Sequence, residues 1–176
     1  MKRNLSLWQF AGFGFCTLAG TLLHFLYDWT GGSLWIAPFS GVNESTWEHM
    51  KLLYFPLLIF GLIQSRFFRS YPGFWCVKLL GIITGMALIP TLFYTYNGAI
   101  GKSPDWINIA IFYITTAVVF LLEWWLIKKD RLRCKRPWLS FSLICLLGGL
   151  FVVFTFLTPR IGLFEDPLTG AYGLWG

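Results

Sequence analysis

Five apolar runs constrain this chain more than any other feature. They cover about residues 7–27, 52–68, 74–94, 106–127 and 138–157. Each approaches the roughly 20 residues that a helix needs to cross a bilayer. The fold class that follows is an all-α membrane protein, a bundle of five transmembrane helices. The charge content agrees: 12% of the residues are charged, against about 25% in soluble domains. No polar segment is long enough to build a core of its own. Residues 1–176 therefore read as a single integral membrane domain ending in a tail over 158–176. The first run is too long for the apolar part of a signal peptide, and no small-residue cleavage site follows it, so it reads as a retained helix.

Orientation follows from the basic residues, which favour the cytoplasmic side. Lys2 and Arg3 precede the first run, Arg66 and Arg69 lie between the second and third, and Lys128, Lys129, Arg131, Arg133, Lys135 and Arg136 lie between the fourth and fifth. With five spans these fall on one side, against Lys51, Lys102 and Arg160 on the other. Lys78, about one turn inside the third run, is expected to snorkel back to the basic side. The expected setting is the cytoplasmic membrane, with a cytoplasmic N-terminus and an external tail. The net charge of +6 needs no nucleic-acid partner. It is topology signal and attraction to anionic lipid, so the expected partner is membrane lipid, with a homodimer or a membrane partner as a further expectation.

The acidic residues sort the other way. Asp28, Glu44, Glu48, Asp105, Glu165 and Asp166 fall near the external face, with His24, His49 and Asn43. Glu123 falls near the cytoplasmic end of the fourth run and is expected to pair with a basic neighbour or to snorkel. The four cysteines, Cys16, Cys76, Cys134 and Cys145, show no CxxC spacing. They are expected to stay reduced and to behave as small hydrophobes. Between the first two runs, Trp29, Leu34, Trp35, Ile36, Pro38 and Phe39 alternate with Gly31, Gly32 and Gly41. This stretch is too apolar for a solvated loop and too broken for a span. It reads as an interfacial segment or a re-entrant one lining a wet cavity.

The candidate site lies around residues 41–51. His24 and Asp28 are four residues apart and share a helix face, so Asp28 is placed to fix the tautomer of His24 and raise its basicity. Ser45-Thr46-Trp47-Glu48 fits a capping box, in which Ser45 caps the helix and Glu48 reaches back to its N–H. Asn43 is a competing cap. With a helix start at Asn43, Glu44, Glu48 and Lys51 share one face, and the repulsion of the two carboxylates calls for a lysine, a proton, a metal or a cationic ligand. His24, Asp28, Glu48 and His49 are the candidate catalytic residues. Asn43, Glu44, Ser45, Trp47 and Lys51 are candidates for substrate binding. A divalent metal on His24, Glu44, Glu48 and His49 is one further expectation, since mixed N and O donors suit zinc or a similar ion. In the tail, Asp166-Pro167-Leu168-Thr169-Gly170 is turn chemistry. The tail can also fold over the site and contribute Asp166 or Tyr172.

The strings His24-Phe25-Leu26-Tyr27-Asp28-Trp29, Asn43-Glu44-Ser45-Thr46-Trp47-Glu48-His49 and Asp166-Pro167-Leu168-Thr169-Gly170-Ala171-Tyr172-Gly173 resemble a small bacterial membrane-protein family known as a domain of unknown function. The resemblance covers nearly the whole chain. It implies a polytopic bacterial membrane protein and brings no activity with it. The residue types favour a membrane-embedded enzyme with an outward-facing polar site, acting by hydrolysis or group transfer on a lipid or other amphiphile. The alternatives are a transporter or binding protein for a cation or small organic amine, a haem protein using His24 and His49, and a structural partner subunit.

Overall fold

The structure, a computed structural model, describes residues 4–101, 104–132 and 134–175. Lys2, Arg3, Lys102 and Arg133, used above to orient the chain, lie outside the described residues, as does the side chain of Asp105. Five helices follow in order: α1 (Leu5–Trp29), α2 (Thr46–Phe67), α3 (Phe74–Ile100), α4 (Asp105–Lys129) and α5 (Pro137–Phe156). All five are long and apolar enough to cross a membrane. A 3-10 turn, Gly162–Phe164, lies in the tail.

Helix α2 is the centre of the bundle and touches each of the other four. It carries the core residues Leu53, Tyr54, Leu57 and Phe60. Tyr54 donates to the Ile144 carbonyl of α5 at 2.6 Å and packs on Phe151. The helix begins at Thr46, not at Leu52 where the apolar run starts. Its first turns are polar in sequence but buried in place, because the charges of Glu48 and Lys51 meet each other at 2.6 Å. A paired, hydrogen-bonded charge tolerates burial that a lone one does not.

The segment between α1 and α2 doubles back as a series of tight turns instead of crossing the bundle. Gly31 and Gly32 take φ of 66° and 77°, a left-handed backbone that glycine adopts without penalty. Ser40 is fully buried and inserts its hydroxyl into the end of α1, accepting from the Tyr27 N–H at 2.9 Å and donating to the Leu23 carbonyl. Trp35 is 88% exposed on the outer side of these turns.

Two expectations at the opposite end are corrected. Lys78 does not snorkel outward. Its side chain is 1% exposed and donates to Glu123 of α4 at 2.7 Å, with the rings of Phe60, Phe74 and Phe120 at 5.4–5.8 Å. An opposite charge on the adjacent helix is nearer than the water it was expected to reach. Cys76 and Cys134, expected to be reduced, form a disulfide with Cα atoms 6.1 Å apart. Their separation of 58 residues hides a contact that only the packing of the α4–α5 link against α3 creates.

Candidate functional site

The end of α1, the start of α2 and the start of α4 meet around a cavity of about 560 Å³. Its polar wall is His24, Glu44 and His49. Phe25, Leu52, Ile109, Phe112 and Tyr113 supply apolar wall, and Leu168 of the tail closes one side. Such a mixture of apolar lining and few convergent polar groups is typical of small-molecule sites.

Local geometry places each polar group. Ser45 is the N-cap of α2 and its hydroxyl accepts from the Glu48 N–H at 3.4 Å. The Asn43 side-chain oxygen, Oδ1, accepts from the Ser45 N–H at 3.0 Å, a side-chain turn of the kind Asn favours. That turn stops the helix short of Glu44 and swings the Glu44 carboxylate towards the histidines. Its two oxygens lie 3.7 Å from His24 Nε2 and 3.6 Å from His49 Nε2. The two imidazole centroids are 5.6 Å apart. His49 Nδ1 lies 2.9 Å from the Ser45 carbonyl oxygen. A carbonyl only accepts, so Nδ1 carries the hydrogen and Nε2 is left facing the cavity side.

Several expected partners are rearranged. Glu44 does not share a face with Glu48 and Lys51, since it precedes the helix. Glu48 completes no capping box. Its carboxylate accepts from the Val42 N–H at 3.0 Å and pairs with Lys51, while Asn43 takes the Ser45 N–H that Glu48 was expected to bond. Glu48 thus sits beneath the site, 3% exposed, and the four residues His24, Glu44, Glu48 and His49 form no common donor set. Among the described residues no three His, Cys, Asp or Glu side chains converge closely enough to hold a metal ion as they stand. The carboxylate that His24 meets is that of Glu44, and Asp28 is exposed beyond it. Lys51 is fully buried and bonds the Ala37 carbonyl and the Thr155 hydroxyl at 2.8 and 3.0 Å. It pins the turn segment and α5 to α2 and does not reach the cavity.

Trp47 is 7% exposed and packed against Phe151, Phe154 and Phe164, the nearest centroid 4.5 Å away. It belongs to the core and not to the cavity wall. The tail does fold over this end. Gly173 accepts from the Asn43 amide at 3.3 Å, and Tyr94 of α3 donates to Gly162 at 2.9 Å. The residues expected to enter from it do not. Asp166 accepts from Leu168 and Thr169 N–H groups within its own turn. Tyr172 donates to Glu165 at 2.9 Å, and that carboxylate raises its hydroxyl above the usual range. Leu168 enters the wall instead. Asn108 also lines the cavity. It was not among the sequence candidates, although a polar side chain near the start of an apolar run is a signal that could have marked it.

The chain matches the family of unknown function DUF6512 over residues 1–174 and belongs to that family. Among curated proteins and solved structures, nothing matches it.

Proposed function

We propose that this chain is a membrane-embedded enzyme that hydrolyses, or transfers a group on, the polar part of an amphiphile held in the cavity of His24, Glu44 and His49. The observation that carries the reading is one carboxylate flanked by two imidazoles on a mostly apolar wall. With Nδ1 committed to Ser45, the neutral His49 ring presents a lone pair at Nε2 opposite a Glu44 oxygen. Two acceptors lie 3.6 Å apart, so a donor beside them and within reach of both, the O–H of a water or alcohol, suits the pair. His49 takes that proton while the oxygen's electron pair attacks the carbonyl or phosphoryl centre. Glu44 holds the imidazolium that forms. His24, on the other carboxylate oxygen, is placed to return a proton to the leaving group. General acid–base assistance of this kind contributes about 10²–10⁴ in rate.

The setting in this proposal is the bacterial cytoplasmic membrane, with the N-terminus inside and the cavity opening at the outer face. Arg66, Lys128, Lys129 and Arg131 support it, since they stand at the end of the bundle away from His24 and His49. A second reading, a transporter or binding protein for an organic amine, is favoured by the same pair. An ammonium group also bridges a carboxylate and a lone pair, and Phe25, Phe112 and Tyr113 line the cavity with aromatic faces that suit a cation.

The test is to reconstitute the chain with a bacterial lipid extract and follow the mixture by mass spectrometry. A product formed by wild type and absent with Glu44→Gln and His49→Ala supports the enzyme. An unaltered amine retained by wild type and released by Glu44→Gln replaces it with the binding reading. Identical mixtures from all three proteins overturn both.

A further inference from the structure

The cavity of His24, Glu44 and His49 opens between α1 and α4. Phe25 of α1 and Ile109 and Tyr113 of α4 line it and are also exposed on the outside of the bundle. Both helices are long and apolar enough to cross a membrane, so an opening edged by these side chains faces lipid. Its depth follows from two tryptophans. Trp29 ends α1 and Trp106 stands in the first turn of α4, both exposed, and tryptophan at a span end sits at headgroup level. Phe25 and Ile109 lie one turn inside them, about 5 Å deeper. A lipid phosphate lies among the headgroups, whereas the ester or amide that joins head to chain lies just beneath, where the hydrocarbon begins. Further in, the two helices close on each other at Gly20, where a Cβ would overlap the Phe112 ring.

The polar groups within are mostly acceptors. The Glu44 carboxylate only accepts. His49 offers the lone pair of Nε2, since Nδ1 is held by the Ser45 carbonyl. Thr21, also in the wall, gives its hydroxyl hydrogen to the Thr17 carbonyl at 2.8 Å and keeps lone pairs alone. Among the described residues that line the cavity none is Lys or Arg. Lys51, two positions from His49, is spent on Glu48, the Ala37 carbonyl and Thr155. A phosphate or carboxylate head would therefore meet the Glu44 charge in mostly apolar surroundings, where like charges repel more strongly than in water.

We propose that the substrate is a bilayer lipid with a carboxylic ester or amide and a hydroxyl- or amine-bearing head free of negative charge, admitted sideways between α1 and α4. This deepens, and rests on, the acid–base reading of the cavity. The donors of the head meet Glu44 and Thr21, and the chain stays in the bilayer beside Phe25 and Ile109. For an ester, water gives a proton to His49 and its oxygen bonds the carbonyl carbon. The C–O bond to the head breaks, His24 protonates the leaving oxygen, and solvent resets both rings. The products are a fatty acid and an alcohol.

The test uses the full chain in nanodiscs and follows, by mass spectrometry, cleavage of 1-palmitoylglycerol, hexadecyl phosphate, hexadecylphosphocholine and water-soluble 1-butyrylglycerol. Palmitoylglycerol is expected to be cleaved at least about 100-fold faster than hexadecyl phosphate or hexadecylphosphocholine, because neither phosphate finds a counter-charge beside Glu44. It should also exceed butyrylglycerol by at least about tenfold, because the long chain holds it in the bilayer. Both advantages are expected to vanish with the activity in His49→Ala and in Glu44→Gln, the latter serving where His49→Ala fails to fold. Glu44-dependent cleavage of either phosphate ester at the rate of palmitoylglycerol, or of butyrylglycerol as fast as palmitoylglycerol, overturns the substrate class and leaves the acid–base reading standing. Intact palmitoylglycerol beside a Glu44-dependent product in the lipid extract does the same. No product from either source overturns both.

Discussion

Glu48 and Lys51 stand one turn apart on α2 with their charged atoms 2.6 Å from each other, and their side chains are 4% and 0% exposed. The pair is the fastening of the site and not its reactive part. Through Lys51 it holds the Ala37 carbonyl and Thr155, so α2, the turn segment and α5 meet at one ammonium. Removing one partner of a buried pair leaves an uncompensated charge and costs about 3–5 kcal/mol. Lys51→Met is expected to lose stability on that order, and Glu48→Leu with Lys51→Met to recover part of it. Denaturant unfolding of the reconstituted protein measures both, and an unmoved midpoint in Lys51→Met would show that the pair fastens nothing.

Glu44 behaves oppositely. Its side chain is 40% exposed and belongs to no helix, so Glu44→Gln is expected to change stability by no more than about 0.5 kcal/mol, as for most exposed positions. It removes the charge that both imidazoles face. Turnover of the product identified in the lipid-extract experiment is expected to fall by about 10²-fold or more. A variant that is destabilised as strongly as Lys51→Met would place Glu44 in the scaffold instead.

The helices were legible because length and apolarity alone define a span, and no run carries more than one charged residue. The start of α2 was legible in the Ser45 cap but not in hydropathy, which scores Glu48 and Lys51 as exposed while their burial depends on each other. His24, Glu44 and His49 were readable as candidates. Their mutual arrangement was not, since the Asn43 turn that aims Glu44 is a matter of backbone geometry. The partner of Lys78 was hidden for a related reason: Lys78 and Glu123 stand in separate apolar runs, and only helix packing brings them together.

The tail is expected to be a separable lid. Phe164 is 4% exposed and packs against Trp47 with centroids 4.6 Å apart. Phe→Ala at a buried site costs about 3–5 kcal/mol, but here the loss falls on an end segment that can open alone. Phe164→Ala should raise amide exchange across residues 162–173 while the amides of α2 and α3 stay protected. Uniformly faster exchange in every helix would mean that the tail is part of the global core.

Cys76 and Cys134 supply the sharpest check on the basic end of the bundle. Cys76 lies in the first turn of α3 and Cys134 in the link to α5, so their bond ties that link to the body of the protein. Cys16 is buried and free, and Cys145 is exposed and free. Denatured without reductant, the chain is therefore expected to alkylate at Cys16 and Cys145 alone. With reductant all four should react, and intact mass distinguishes the outcomes. Cys134→Ser should release Cys76 to the reagent and make the α4–α5 link more susceptible to protease, by a few-fold or more, because the closed loop no longer limits its excursions. Full alkylation of the untreated protein would mean the two thiols are merely neighbours. Since reduced thiols prevail in the cytosol, that result from freshly isolated membranes, with a bond forming only on later oxidation, would also agree with the basic end facing inward.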